Sequence, residues 1–130
     1  MKKSELNNMN TATLAYMGDA IYEQAVRQRL IEDGGRRVDR LQKTAAKKYV
    51  SAQAQAEIVL ALYEDLDEEE QAYINRWKNY KPRSMPRNGS PKEYRWATAF
   101  EAFVGYLYLS GDVERLEWVM EKAFAFAEDR

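Results

Sequence analysis

Two acidic residues stand alone in apolar surroundings. Asp19 is the only charged residue between Leu6 and Tyr22, and Glu101 is the only one between Trp96 and Gly111. They lie in LAYMGDAIY and WATAFEAFVGYLYL, stretches whose apolar positions surround a helix on nearly every side at 100° per residue. Both helices are therefore expected to be central and buried. A carboxylate there needs a cation, a set of hydrogen-bond donors or a proton. Neither stretch contains a Lys or Arg to neutralise it locally. Two arrangements satisfy this requirement. In one, the helices pack together, helped by Gly18 and Gly105, and the two acids share a divalent cation. In the other, each acid pairs with a distant Arg or Lys, or lies at a dimer seam. Oxygen-only ligation suits Mg²⁺, with Mn²⁺ as a substitute, and a water on such an ion can attack a phosphodiester. Glu23, one turn after Asp19, is an accessory candidate at best, since Arg27 stands one further turn along to pair with it.

Composition removes most other chemistries. The chain has 130 residues, no His and no Cys. Imidazole acid–base catalysis, a Ser-His-Asp triad, thiolate nucleophiles, thiolate zinc sites and disulfides are excluded. The amino-terminal MKKSELNNMN lacks the apolar core of a signal peptide, and the longest apolar run, Ala102 to Leu109, is too short to span a membrane. A cytoplasmic protein with no membrane segment is expected. Leu, Ile, Val and Phe are few, so part of the stability is expected from oligomer contacts.

The elements that must position the acids read as helices. The first long helix is predicted from Thr13 to Asp33, stopped by Gly34 and Gly35, and a second from Val38 to Tyr49. Ser51 caps a third reaching Tyr63, and Asp67 with Glu70 forms a capping box for a fourth reaching Lys78. Ser90, Pro91 and Glu93 open a fifth that Gly111 stops after Ser110. Asp112 caps a last helix ending near Glu128. The expected fold is all-α, a single domain over residues 1–130.

Charge is unevenly placed. The net charge is −1, yet residues 76–95 carry +6, with all three prolines in that segment, and residues 36–48 carry +5. KPRSMPRNGSP reads as a long loop, and such loops more often serve a function than not. Lys78, Lys81, Arg83 and Arg87 are the leading candidates for phosphate contact, with Arg76, Asn79, Lys47 and Lys48 as weaker ones. The Tyr and Trp residues at helical spacing read as core or dimer contacts rather than stacking platforms.

LAYMGDAIYE and ATAFEAFVGYLYL resemble, in order and spacing, the two signature segments of ribonuclease III domains. LQKTAAKKYVSAQAQAEIV and RWKNYK bring the chain closest to the Mini-III branch, which lacks a double-stranded-RNA-binding domain; that branch commonly has Gly where Trp77 stands. The resemblance implies a ribonuclease III-type helical endonuclease domain. Asp19 and Glu101 match acidic residues of the family's metal site that are essential for cleavage. Ribonuclease III proper has two further carboxylates where this chain has Ala15 and Thr98, a thinning that Mini-III members share. Thr98, one turn before Glu101, could hold a metal-bound water. The resemblance further implies a homodimer that cuts double-stranded RNA to 5′-phosphate and 3′-hydroxyl ends, and a role in 23S ribosomal RNA precursor maturation. With no room expected for an appended RNA-binding domain, the +6 loop would grip the duplex. Two other readings are an RNA-binding or ribosome-assembly module without catalysis and, less favoured, a helical metal-dependent nucleotide pyrophosphohydrolase.

Overall fold

The computed structural model describes residues 1–82, 84 and 89–130. Arg83 and Arg87 of the basic segment lie outside the described residues. Seven α-helices and one π-turn follow in order, with no strand among the described residues. They are α1 (Lys3–Asn7), α2 (Thr11–Glu32), α3 (Val38–Ala45), the π-turn (Ala46–Val50), α4 (Ala52–Tyr63), α5 (Glu68–Lys78), α6 (Pro91–Ser110) and α7 (Val113–Glu128).

Local chemistry explains most boundaries. Ser51 accepts from the Ala54 amide at 3.1 Å, Ser90 from the Lys92 amide at 3.2 Å, and Asp112 from the Arg115 amide at 3.2 Å. Asp67 and Glu70 exchange both bonds of a capping box. Gly111 ends α6 in the left-handed region, at φ +79°.

Two departures have physical causes. Short α1 lies in a polar stretch without periodicity, and its one buried residue is Leu6. The helix predicted from Val38 to Tyr49 changes winding at Ala46, where five residues form a π-turn. The ring of Tyr49 is buried edge-on to Phe124 at 5.7 Å, and the Tyr49 carbonyl accepts from the Tyr22 hydroxyl at 3.0 Å. Such wider turns are frequent at functional positions.

Helix α6 is the axis of the fold. Its buried face includes Ala99, Phe100, Phe103, Val104 and Leu107. Against it pack Leu14, Tyr22 and Val26 of α2, Ile58, Val59 and Leu62 of α4, and Ile74 and Trp77 of α5. Tyr22 meets Phe100 edge-to-face at 5.0 Å.

The expectation that α2 is buried all round is overturned. Only the stripe Leu14, Ala15, Gly18, Tyr22 and Val26 is covered. Tyr16 is 82% exposed, and Asp19 and Ala20 are exposed beside it. Periodicity marks which positions are apolar but does not say which surface covers them.

Where α2 crosses α6, the two backbones touch. A Cβ built at position 18 would overlap the carbonyl oxygen of Glu101, and one at position 105 would overlap the carbonyl oxygen of Leu14. Both obstacles are backbone, which cannot rotate aside. Gly18→Ala should therefore destabilise by roughly 3 kcal/mol or more. Gly111→Ala, strained in φ but facing open space, should cost only about 1 kcal/mol. Thermal denaturation of the two variants checks this order; equal losses would contradict a backbone-to-backbone crossing.

Candidate active site

The Gly18–Gly105 crossing determines what stands beside what. Asp19 follows Gly18 on α2, and Glu101 lies one turn before Gly105 on α6. Asp19 is exposed and Glu101 is half-buried, so the pair lies at the protein surface with its deeper member under cover.

The charge balance there is unfavourable. The Glu101 carboxyl is pushed up to about 8, first by burial and then by hydrogen bonding with Asp19 and by the Asp19 charge. The charge of Glu23 pushes the same way, and the Gln55 amide opposes it. Neither Asp19 nor Glu101 joins an ion pair among the described residues, where the arrangement with a distant Arg or Lys is therefore not seen. Glu23 pairs with Arg27 at 3.8 Å across one helical turn, as its spacing suggested.

Two adjacent carboxyl groups, one open to water and neither paired with a base among the described residues, become hard oxygen donors suited to a divalent cation once Glu101 gives up its proton. No group of three or more His, Cys, Asp or Glu side chains that could hold a metal occurs among the described residues. A cation here would keep most of its coordination sphere for water and ligand oxygens. Thr98 is buried, and its hydroxyl donates to the Tyr94 carbonyl at 2.9 Å, leaving lone pairs to accept. Ala15 contributes only a buried methyl group.

Sequence reasoning passed over Gln55. It occupies a position of the α4 stripe otherwise filled by Ile58, Val59 and Leu62, and is itself buried. The signal was present: a long polar side chain where the helical period demands an apolar one.

The basic candidates lie on several elements. Lys78 is half-buried at the end of α5, with its ammonium 4.6 Å from the Trp96 ring centroid. Arg76 is exposed over Tyr73 at 5.4 Å, while Trp77 is core. Asn79 and Lys81 are exposed beyond α5, and Lys47 and Lys48 are exposed on the π-turn. None of these cations is ion-paired among the described residues.

Comparisons with known proteins place the chain in a family. Residues 12–112 match the profile of the Ribonuclease III domain. A crystallised protein from Fusobacterium nucleatum superposes with a TM-score of 0.80 at 32% identity, covering 91% of this chain and 93% of that one. The chain belongs to the ribonuclease III family. Within it, the chain is 46% identical to Mini-ribonuclease 3 of Brevibacillus brevis, over 98% of each chain. It is 48% identical to Mini-ribonuclease 3 of Symbiobacterium thermophilum, over 89% of this chain and 88% of the relative. Its place is in the Mini-ribonuclease 3 branch.

The pH response of the fold follows from Glu101. Between the ordinary carboxyl range and about pH 8, the folded chain holds a proton that the unfolded chain has released. Metal-free protein should therefore gain stability as pH falls from about 8 towards 5. The chain has no His to titrate in that window. Glu101→Gln should flatten the slope and raise Tm at the alkaline end. Melting curves in chelator across this range check it; an unaltered slope in the variant would assign the proton elsewhere.

Proposed function

We propose that this protein cleaves double-stranded RNA with the help of a divalent cation held by Asp19 and Glu101. As a member of the ribonuclease III family it is an endoribonuclease; the proposal adds the substrate form, the ion and the residues. The observation that carries it is the meeting of two uncompensated carboxylates at the surface end of the α2–α6 crossing.

In this reading Asp19 and Glu101 hold Mg²⁺, for which Mn²⁺ substitutes. The bound ion supplies charge neutralisation at the scissile phosphate and an activated water. Asp19, exposed, meets the incoming backbone. Glu101 must give up the proton that burial and Asp19 favour, and the Gln55 amide favours that charged form. Hydrolysis leaves a 5′-phosphate and a 3′-hydroxyl. Lys78, Lys81, Arg83 and Arg87, with Arg76, Asn79, Lys47 and Lys48 in weaker roles, contact the RNA backbone. A-form RNA is then recognised by shape, phosphates and 2′-hydroxyls.

The enzyme acts as a homodimer with one site for each strand. Support comes from the uncovered face of α2, where Tyr16 and Ala20 face solvent. An open groove of 1020 Å³ beside it, between α2 and α7, is lined by Ile21, Leu116, Met120 and Phe124 among others. No helix among the described residues is long and apolar enough to cross a membrane. The place of action in this reading is the cytoplasm and the substrate the 23S ribosomal RNA precursor, as the resemblance in sequence implies; kinship with proteins named Mini-ribonuclease 3 supports the RNA-cleaving activity.

Glu101→Gln should abolish cleavage of duplex RNA while keeping duplex affinity within about threefold, because phosphate contacts supply most of the binding. A gel assay of cleavage beside a binding titration checks this; retained cleavage would remove Glu101 from the chemistry. Arg83→Ala combined with Arg87→Ala should weaken binding and reduce the slope of log affinity against log salt by about 2. An unchanged slope would remove both from the RNA contact set.

A further inference from the structure

Gln55 is 3% exposed, in the stripe of α4 that faces α6. Its Nε2 donates to the Val50 carbonyl at 2.9 Å. That acceptor closes the π-turn, which is tied to α2 through the bond from Tyr22 to the Tyr49 carbonyl. Tyr22 stands one turn after Asp19. The π-turn thus links the helix that bears Asp19 to Gln55, whose amide favours the charged form of Glu101. The Oε1 of Gln55 is buried with no hydrogen-bond partner among the described residues. An orphaned buried amide oxygen is destabilising. A Met of similar length would fill the stripe without that oxygen, so the bond to Val50 accounts for the Nε2 end of the amide and packing does not account for the Oε1 end. A neutral donor has one property that Lys or Arg lacks: it can align a carboxylate without neutralising it or competing with a cation for it.

We propose that Gln55 is a positioning residue for Glu101, its amide anchored on the Val50 carbonyl and holding the Glu101 carboxylate toward Asp19. The proposal rests on the reading of Asp19 and Glu101 as cation holders. Gln55 touches neither substrate nor reacting atoms; it acts through Glu101.

The test uses the full chain and Mn²⁺ alone as the probe, with affinity followed by the electron paramagnetic resonance of free Mn²⁺. Gln55→Met should weaken Mn²⁺ binding by at least about tenfold. Its Tm should change little, the lost bond to the Val50 carbonyl offsetting the relief of the orphaned oxygen, and kcat on duplex RNA should fall with little change in KM. Unchanged Mn²⁺ affinity in folded Gln55→Met would overturn the proposal. If Gln55→Met does not fold, Gln55→Glu takes its place, since a third carboxylate beside Glu101 must alter Mn²⁺ affinity. An unaltered affinity in that variant, or failure of both variants to fold, would make Gln55 a structural residue and end the proposal. Glu101→Gln in the same titration separates the two readings. If it binds Mn²⁺ as the parent does, the cation site itself is misassigned. If it loses Mn²⁺ while Gln55→Met keeps it, only the role of Gln55 fails.

Discussion

Contact between two helix backbones, with no side chain between them, is the constraint on which this molecule depends. Gly18 meets the carbonyl of Glu101, and Gly105 meets the carbonyl of Leu14. Ordinary helix pairs stand 8–10 Å apart because side chains fill the gap. Removing the Cβ atoms at the crossing brings Asp19 up to Glu101, and the acid on α6 is covered by the helix that carries the other. Burial and like-charge repulsion then act together on Glu101. The two glycines are thus electrostatic residues in effect, although they carry no charge.

The surroundings leave that repulsion in place. A basic residue could neutralise Glu101, yet the side chain that favours its charged form is the neutral amide of Gln55. Cations lie on other elements: Lys47 and Lys48 on the π-turn, and Lys78 and Lys81 around the end of α5, none of them ion-paired among the described residues. Elsewhere the protein does pair its charges, as in the two-bond contact of Arg115 with Glu70 that joins α7 to α5. Negative charge left open in one place and positive charge left open in others suit a site that receives a metal ion and a polyanion together. With no imidazole in the chain, acid–base work falls to carboxylates and water.

Much of the frame was legible because it rests on local chemistry. Ser51, Asp67, Ser90, Gly111 and Asp112 mark helix ends through bonds within a few residues of themselves. The isolation of Asp19 and Glu101 is likewise a property of the sequence alone. The cover over each helix was not legible. Helix α6 is enclosed as its composition implies, whereas α2, nearly as apolar near Asp19, leaves Tyr16 and Ala20 in solvent. An apolar face states what a residue avoids, and which partner relieves it depends on contacts distant in the chain. The π-turn escaped detection for the same reason, since Tyr49 gains its burial and its bond to Tyr22 only after α2, α4 and α7 have assembled.

By itself the sequence determined that this is a helical protein, where most helices begin and end, and that two solitary acids need compensation, because capping, periodicity and charge isolation act over a turn or two. Tertiary structure alone decided that those acids meet and that Gln55 stands beside Glu101. It also decided that one side of α2 is left uncovered. Each of these depends on how closely two distant segments approach, a distance set by packing rather than by any local preference.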